Sequence, residues 1–222
     1  LGRPEKFTTQ TGLSGKRYST ESVGSIRIRD AFKELDFGQE IGGPIAAALD
    51  VLSVRIANKV GNVLIHVVKD AEFDVIAEGA GVAFYNSAAH SIVIAESSLH
   101  GNILPRMILH ESIHAATSRA IHTDKALEGK IDLLREHVKM LSSETKHYGF
   151  TNAHEFITEA MSNPSFQRLL MGIKLSSEVA EHFGVRAFGH VKSIWDTFIK
   201  IIGDMFGIKD KEVVALEAAV RV

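Results

Sequence analysis

Apolar positions recur along this chain with two different periods, and the change between them marks the architecture. Ile28, Ala31, Phe32 and Leu35, then Ile45, Ala48, Leu49, Leu52 and Ile56, return at intervals of three and four. That spacing predicts two helical stretches between Ile26 and Val60, broken at Gly42-Gly43-Pro44. The next stretch, NVLIHVVKD at 62 to 70, is a β-branched run, and GVAFYNSAAHSIVIAESS at 81 to 98 places two short apolar segments around the turn-like NSAA. A strand and then a hairpin ending in SIVIAE are expected there. Beyond residue 103 the helical period returns and persists. Leu127, Ile131, Leu134, Val138 and Leu141 make one amphipathic stripe, and TNAHEFITEAMSNPSFQRLL reads as a helix with Thr151 or Asn152 as N-cap and Pro164 as a stop or kink. Two or three further helices follow, of which IWDTFIKIIGDMFGI belongs to the core. The order predicts an α+β fold, mostly helical, with a small three-stranded sheet, antiparallel or mixed. Residues 1 to 22 are polar and rich in Gly, Thr and Ser, and read as an arm or linker before a single domain at 23 to 222.

Composition narrows the chemistry. A chain of 222 residues that is 45% hydrophobic can bury a sizeable core, and a net charge of −2 offers no basic footprint for nucleic acid. With no cysteine, any metal must be held by histidine and carboxylate. The apolar runs fall short of the roughly 20 residues a bilayer requires, so no membrane partner is expected. The N-terminus shows no export signal, which points to a cytoplasmic location. Starting at Leu1 rather than Met, the chain is expected to be either trimmed at its start or excised from a larger polypeptide.

The stretch ILPRMILHESIHAATSRAI, residues 103 to 121, combines both themes. Its apolar side chains point in nearly every direction, as in a buried helix, yet His110, Glu111 and His114 share one edge. Burying two imidazoles and a carboxylate costs several kcal/mol unless something satisfies them, and a metal with its bound water would satisfy all three. The spacing His-Glu-x-x-His presents two nitrogen ligands on one face, with Glu111 set to act on the water. Zn2+ is the expected ion, and hydrolysis of a peptide or protein substrate the expected reaction.

A third protein ligand must lie beyond His114. No histidine follows at Ser118, Arg119 or Ala120, so a carboxylate from another helix is needed. HEFITEAMSN at 154 to 163 offers Glu155 and Glu159. On a helical wheel Glu155 points almost opposite the buried direction and Glu159 lies nearer the core, which favours Glu159 and leaves Glu155 as the alternative.

HESIH followed by a helix bearing EAMSN resembles the gluzincin zinc peptidases. The resemblance implies a zincin-like fold with the sheet beside the HExxH helix. It implies His110, His114 and Glu159 as ligands, Glu111 as general base, and Asn163 where the family carries an Asp that orients a ligand histidine. More closely, the GVAFY and IVIAE segments, EFITEAMSNPSFQ and SIWDTFIKIIGDMFGI are similar to metallopeptidase-like domains of large phage and prophage polyvalent proteins, over about Gly81 to Ile208. That implies a host-cytoplasmic or virion-associated protein, part of a larger phage polyprotein. The 44 residues between His114 and Glu159 exceed the compact gluzincin spacing, and the Leu127 to Leu141 helix accounts for the excess.

Transition-state stabilisation needs a further donor, for which His147, Tyr148, His154 and His190 are the candidates. His122 reads as a dipole partner at its helix end. Two rivals remain: a metal-stapled phage structural or interaction domain without turnover, and a regulatory zincin that cuts one partner protein. Binding pockets are made by loops, and the sequence does not separate these readings.

Overall fold

The computed structural model describes residues 8–11, 16–20, 22–35, 53–79, 81–100, 103–143, 145–176, 179, 181, 183 and 193–207. The chain divides into two compact units with a boundary after Ala116.

The first unit holds the β-structure. Strands β1 (Thr8–Thr11) and β2 (Arg17–Thr20) pair antiparallel, within the stretch expected to be an arm. A four-stranded sheet has the order β3-β4-β6-β5, from β3 (Ser22–Arg27), β4 (Leu64–Val68), β5 (Ala83–Asn86) and β6 (Ser91–Ala95). β4 and β6 run parallel, with Ile65 opposite Ile92 and Val67 opposite Ile94, while both outer pairs are antiparallel. The sheet is therefore mixed and has four strands, not three. The added strand is β3, where helix was expected from Ile26; helix α1 (Ile28–Glu34) begins directly after it. Residues 53–60 are helical, whereas Ile45, Ala48, Leu49, Leu52 and the Gly42-Gly43-Pro44 break lie outside the described residues.

All five residues of β6 are buried, as suits a short apolar run in the middle of a sheet. Helix α2 (Asp70–Ala77) connects β4 to β5 and carries Asp70 and Glu72 in its first turn, where acidic groups suit the helix dipole. Its apolar face places Phe73, Ile76 and Ala77 with Val68, Phe84, Val93 and Ala95 in one cluster, and Tyr18 of β2 packs against it. Full burial of such side chains contributes roughly 1.5–3 kcal/mol each. The hairpin expected at NSAA is present: Asn86 Oδ1 accepts the Ala89 N–H at 2.9 Å, and Tyr85 Oη meets His90 Nδ1 at 2.7 Å. After β6 a 3-10 turn (Glu96–His100) is tied back to α2, the Ser97 N–H donating to Asp70 Oδ1 at 3.0 Å.

Helix α3 (Leu104–Thr123) carries the chain through the unit boundary. Pro105 stands in its first turn, where a missing N–H leaves no gap in the ladder.

The second unit is helical among its described residues. Helix α4 (Lys125–Leu141) starts at Asp124, whose side chain accepts the Ala126 and Leu127 N–H groups. Its stripe is buried through Ile131, Leu134 and Val138, but Leu141 at the end is 55% exposed. A short 3-10 turn (Tyr148–Phe150) leads into α5 (Ala153–Ser162), capped by Asn152, whose Oδ1 accepts the Glu155 N–H at 2.9 Å. Pro164 begins a helix: α6 (Pro164–Gly172) has Asn163 as its N-cap, and the same residue is the C-cap of α5. Helix α7 (Ile194–Phe206) opens on a Ser193/Asp196 capping box and ends at Gly207, whose φ of +63° a side chain would resist. The core of this unit is aromatic: Phe166 meets Phe150 at 5.4 Å and Phe156 at 5.5 Å, and Phe198 meets Phe156 at 6.1 Å and Trp195 at 5.5 Å. The edge-on ring pairs add about 0.5–1.5 kcal/mol each beyond their burial. No described helix is long and apolar enough to cross a membrane.

Candidate metal centre

His110, Glu111 and His114 all lie on α3, as the spacing predicted. Ile108, Leu109, Ile113, Ala115 and Ala116 are buried around them, so the helix does present apolar side chains in most directions. Glu111 is buried, at 7% exposure, and both histidines are half-buried. A tertiary hydrogen-bond partner is not needed for every hydroxyl of this helix: Ser112 Oγ donates back to the Ile108 carbonyl at 2.6 Å.

The two imidazoles converge. His110 Nε2 and His114 Nε2 stand 3.2 Å apart, with ring centroids at 4.9 Å and planes inclined by 68°. One side chain per turn on the same face brings the rings together, and the two Nε2 atoms lie within hydrogen-bond distance of each other. Two nitrogens bound at about 2.05 Å on a tetrahedral ion stand about 3.3 Å apart. The observed spacing is that of two nitrogen ligands sharing one cation, and in a cysteine-free chain every other protein donor to such an ion is nitrogen or oxygen.

The glutamates of α5 are held differently. Glu159 is 6% exposed; its Oε2 accepts from Asn163 Nδ2 at 2.6 Å and lies 3.9 Å from His147 Nε2. Glu155, one turn earlier, is half-buried. Asn163 takes a role the motif did not suggest. Its Oδ1 accepts the Ser165 and Phe166 N–H groups at 3.0 and 3.4 Å as the cap of α6, and its amide donates to Glu159. The Asn-Pro step carries this signal, since Asn before Pro suits the cap and first position of a new helix.

Of the candidate transition-state donors, His147 accepts the Gly149 N–H at Nδ1, Tyr148 is 57% exposed, and His154 is half-buried in the first turn of α5. His190 lies outside the described residues. His122 stands exposed in the last turn of α3. The residue missed from the sequence is Gly149. A Cβ there would come within 2.9 Å of Phe166 Cζ and 3.1 Å of Glu159 Cβ, so only glycine lets the turn approach both.

No protein family, curated protein or solved structure matches the chain.

Proposed function

We propose that this chain is a zinc-dependent metallopeptidase of zincin-like fold, related to the gluzincins and to the metallopeptidase-like domains of phage polyvalent proteins. The observation that carries the reading is the 3.2 Å approach of His110 Nε2 to His114 Nε2 with buried Glu111 between them in sequence. It is supported by a cysteine-free chain whose α5 carries two glutamates, Glu155 and Glu159, as carboxylates of the kind that complete a three-ligand site.

In this reading His110 and His114 hold the ion, with Glu159, the ligand implied by the gluzincin motif, or Glu155 one turn earlier on α5 as the third ligand. Zinc, when bound, supplies a water acidified to a pKa of about 7 and a Lewis acid for the scissile carbonyl. Glu111 receives the water's proton on a carboxylate oxygen as the new C–O bond forms, and delivers it to the amine nitrogen as the C–N bond breaks. Burial keeps bulk water from competing for that carboxylate.

The test is metal content by plasma mass spectrometry on the zinc-reconstituted protein and on His114→Ala, Glu155→Ala and Glu159→Ala. One zinc per chain, lost in His114→Ala and in one of Glu155→Ala and Glu159→Ala, is the expected result, and the variant that loses it names the third ligand. A wild-type chain that takes up no zinc, or retention in both glutamate variants, overturns the proposal.

A further inference from the structure

Helix α4 buries one stripe and leaves a second uncovered. Ile131, Leu134 and Val138 face the core, while Ala126, Leu133 and Met140 recur at intervals of seven and so form one column on another side of the helix. All three are exposed, Met140 by 74% and Leu133 by 37%. Gly129 beside the column is exposed too, and a Cβ placed on it would meet nothing within 4 Å. Apolar side chains scattered singly on a surface call for no explanation. These are ordered, and charges of opposite sign accompany them.

The charges are placed symmetrically about the middle of the column. Lys130 stands three residues before Leu133 and Glu136 three residues after it, one on each flank. Both are exposed. Glu136 gives Oε1 to Arg135 Nη2 at 2.9 Å, and its side chain remains 51% exposed. Lys130 makes no ion pair among the described residues.

This pattern decides how a second copy of the helix can lie against the first. An antiparallel copy, with Leu133 on Leu133, sets each Lys130 level with a Glu136. It also lays Met140 over Ala126 at both ends, a long side chain over a short one. A parallel copy in the same register would set Lys130 against Lys130 and Glu136 against Glu136. Opposed like charges resist association, and complementary ones fix its register.

We propose that the exposed face of α4 is a self-association surface, on which a second copy of this chain docks antiparallel about Leu133. Leu133 is its apolar centre, and Lys130 and Glu136 form its rim. One helix crossing buries less than the roughly 1,200 Å² of a stable interface, so the dimer is reversible and concentration-dependent. The pairing uses residues of the helical unit alone and does not depend on the proposed function.

Sedimentation velocity of the full chain over a concentration series tests the proposal. The wild type should pass from monomer to dimer as concentration rises. Lys130→Glu and Glu136→Lys should each raise the dissociation constant about tenfold, because two pairs become repulsive at once. An equimolar mixture of those two variants should associate about as tightly as the wild type, since each supplies the charge the other lacks. The chain carrying both substitutions should do the same. Leu133→Gln should weaken association further, by about a hundredfold, as loss of a central apolar anchor does. A wild type that stays monomeric overturns the proposal, as does a dimer unmoved by Lys130→Glu. Failure of the doubly substituted chain to associate overturns the antiparallel register and the proposal with it. Should Leu133→Gln fail to fold by circular dichroism, the charge variants alone decide.

Discussion

Helices α3 and α5 each bury a carboxylate, Glu111 at 7% exposure and Glu159 at 6%, in different company. Glu111 stands in sequence between two histidines one turn apart, whose Nε2 atoms approach to 3.2 Å. Glu159 accepts the Asn163 amide at 2.6 Å from the end of its own helix. A carboxylate gripped by an amide donor is a structural acceptor, whereas under the proposed function the one beside the histidine pair would receive a proton next to a cation.

The strongest way to break that contrast is Glu111→Gln. Hydrolysis of a casein or peptide-library substrate should fall by roughly 10²–10⁴-fold, the usual weight of a general base, while zinc content stays at the wild-type level. A variant that hydrolyses at the wild-type rate removes the proton-transfer role from α3. Next comes Gly149→Ala, aimed at the turn that packs against Glu159. With Phe166 at 2.9 Å from the new methyl, the turn must move, at a cost of about 1–3 kcal/mol in unfolding free energy, readable as a lowered urea midpoint. An unchanged midpoint means the turn is looser than the contacts indicate. The smallest effect is Asn152→Ala, which removes the acceptor for the Glu155 N–H and should destabilise by about 1 kcal/mol. Because the cap leaves the Glu159 cluster untouched, the Glu159 carboxyl carbon-13 shift should not move.

Much of this arrangement was legible in the sequence, for physical reasons that differ by element. The α3 helix declared itself because its polar residues broke an otherwise apolar surface at a spacing of four. The β5–β6 hairpin was visible because Asn86 is a residue whose side chain folds back on its own turn. β3 was not, since SVGSIR mixes Ser and Gly into a short strand and its Ile26 also fits the helical spacing that follows. The strands of residues 8 to 20 were hidden by the same kind of polar composition, with Thr and Ser in place of an alternating apolar face. Pro164 was read as a stop, and α5 does end at Ser162 just before it; what a breaker leaves undeclared is the second helix, α6, that begins on the proline itself. The surroundings of Glu159 were not legible, because Asn163 and Gly149 reach it only through the way the chain returns on itself between α5 and α6 and between α4 and α5. A helical wheel gives the direction of a side chain, not what waits there.

Asn163 closes α5 with its backbone N–H and, with its side chain, opens α6 and donates to Glu159, so three local equilibria share a single residue. Fraying at the first turn of α6 would withdraw the cap and, through the same amide plane, loosen the grip on the carboxylate. The corner therefore behaves as one cooperative unit for local opening. A helix junction that would otherwise be the easiest place for the chain to breathe is made as costly to open as the polar cluster it serves.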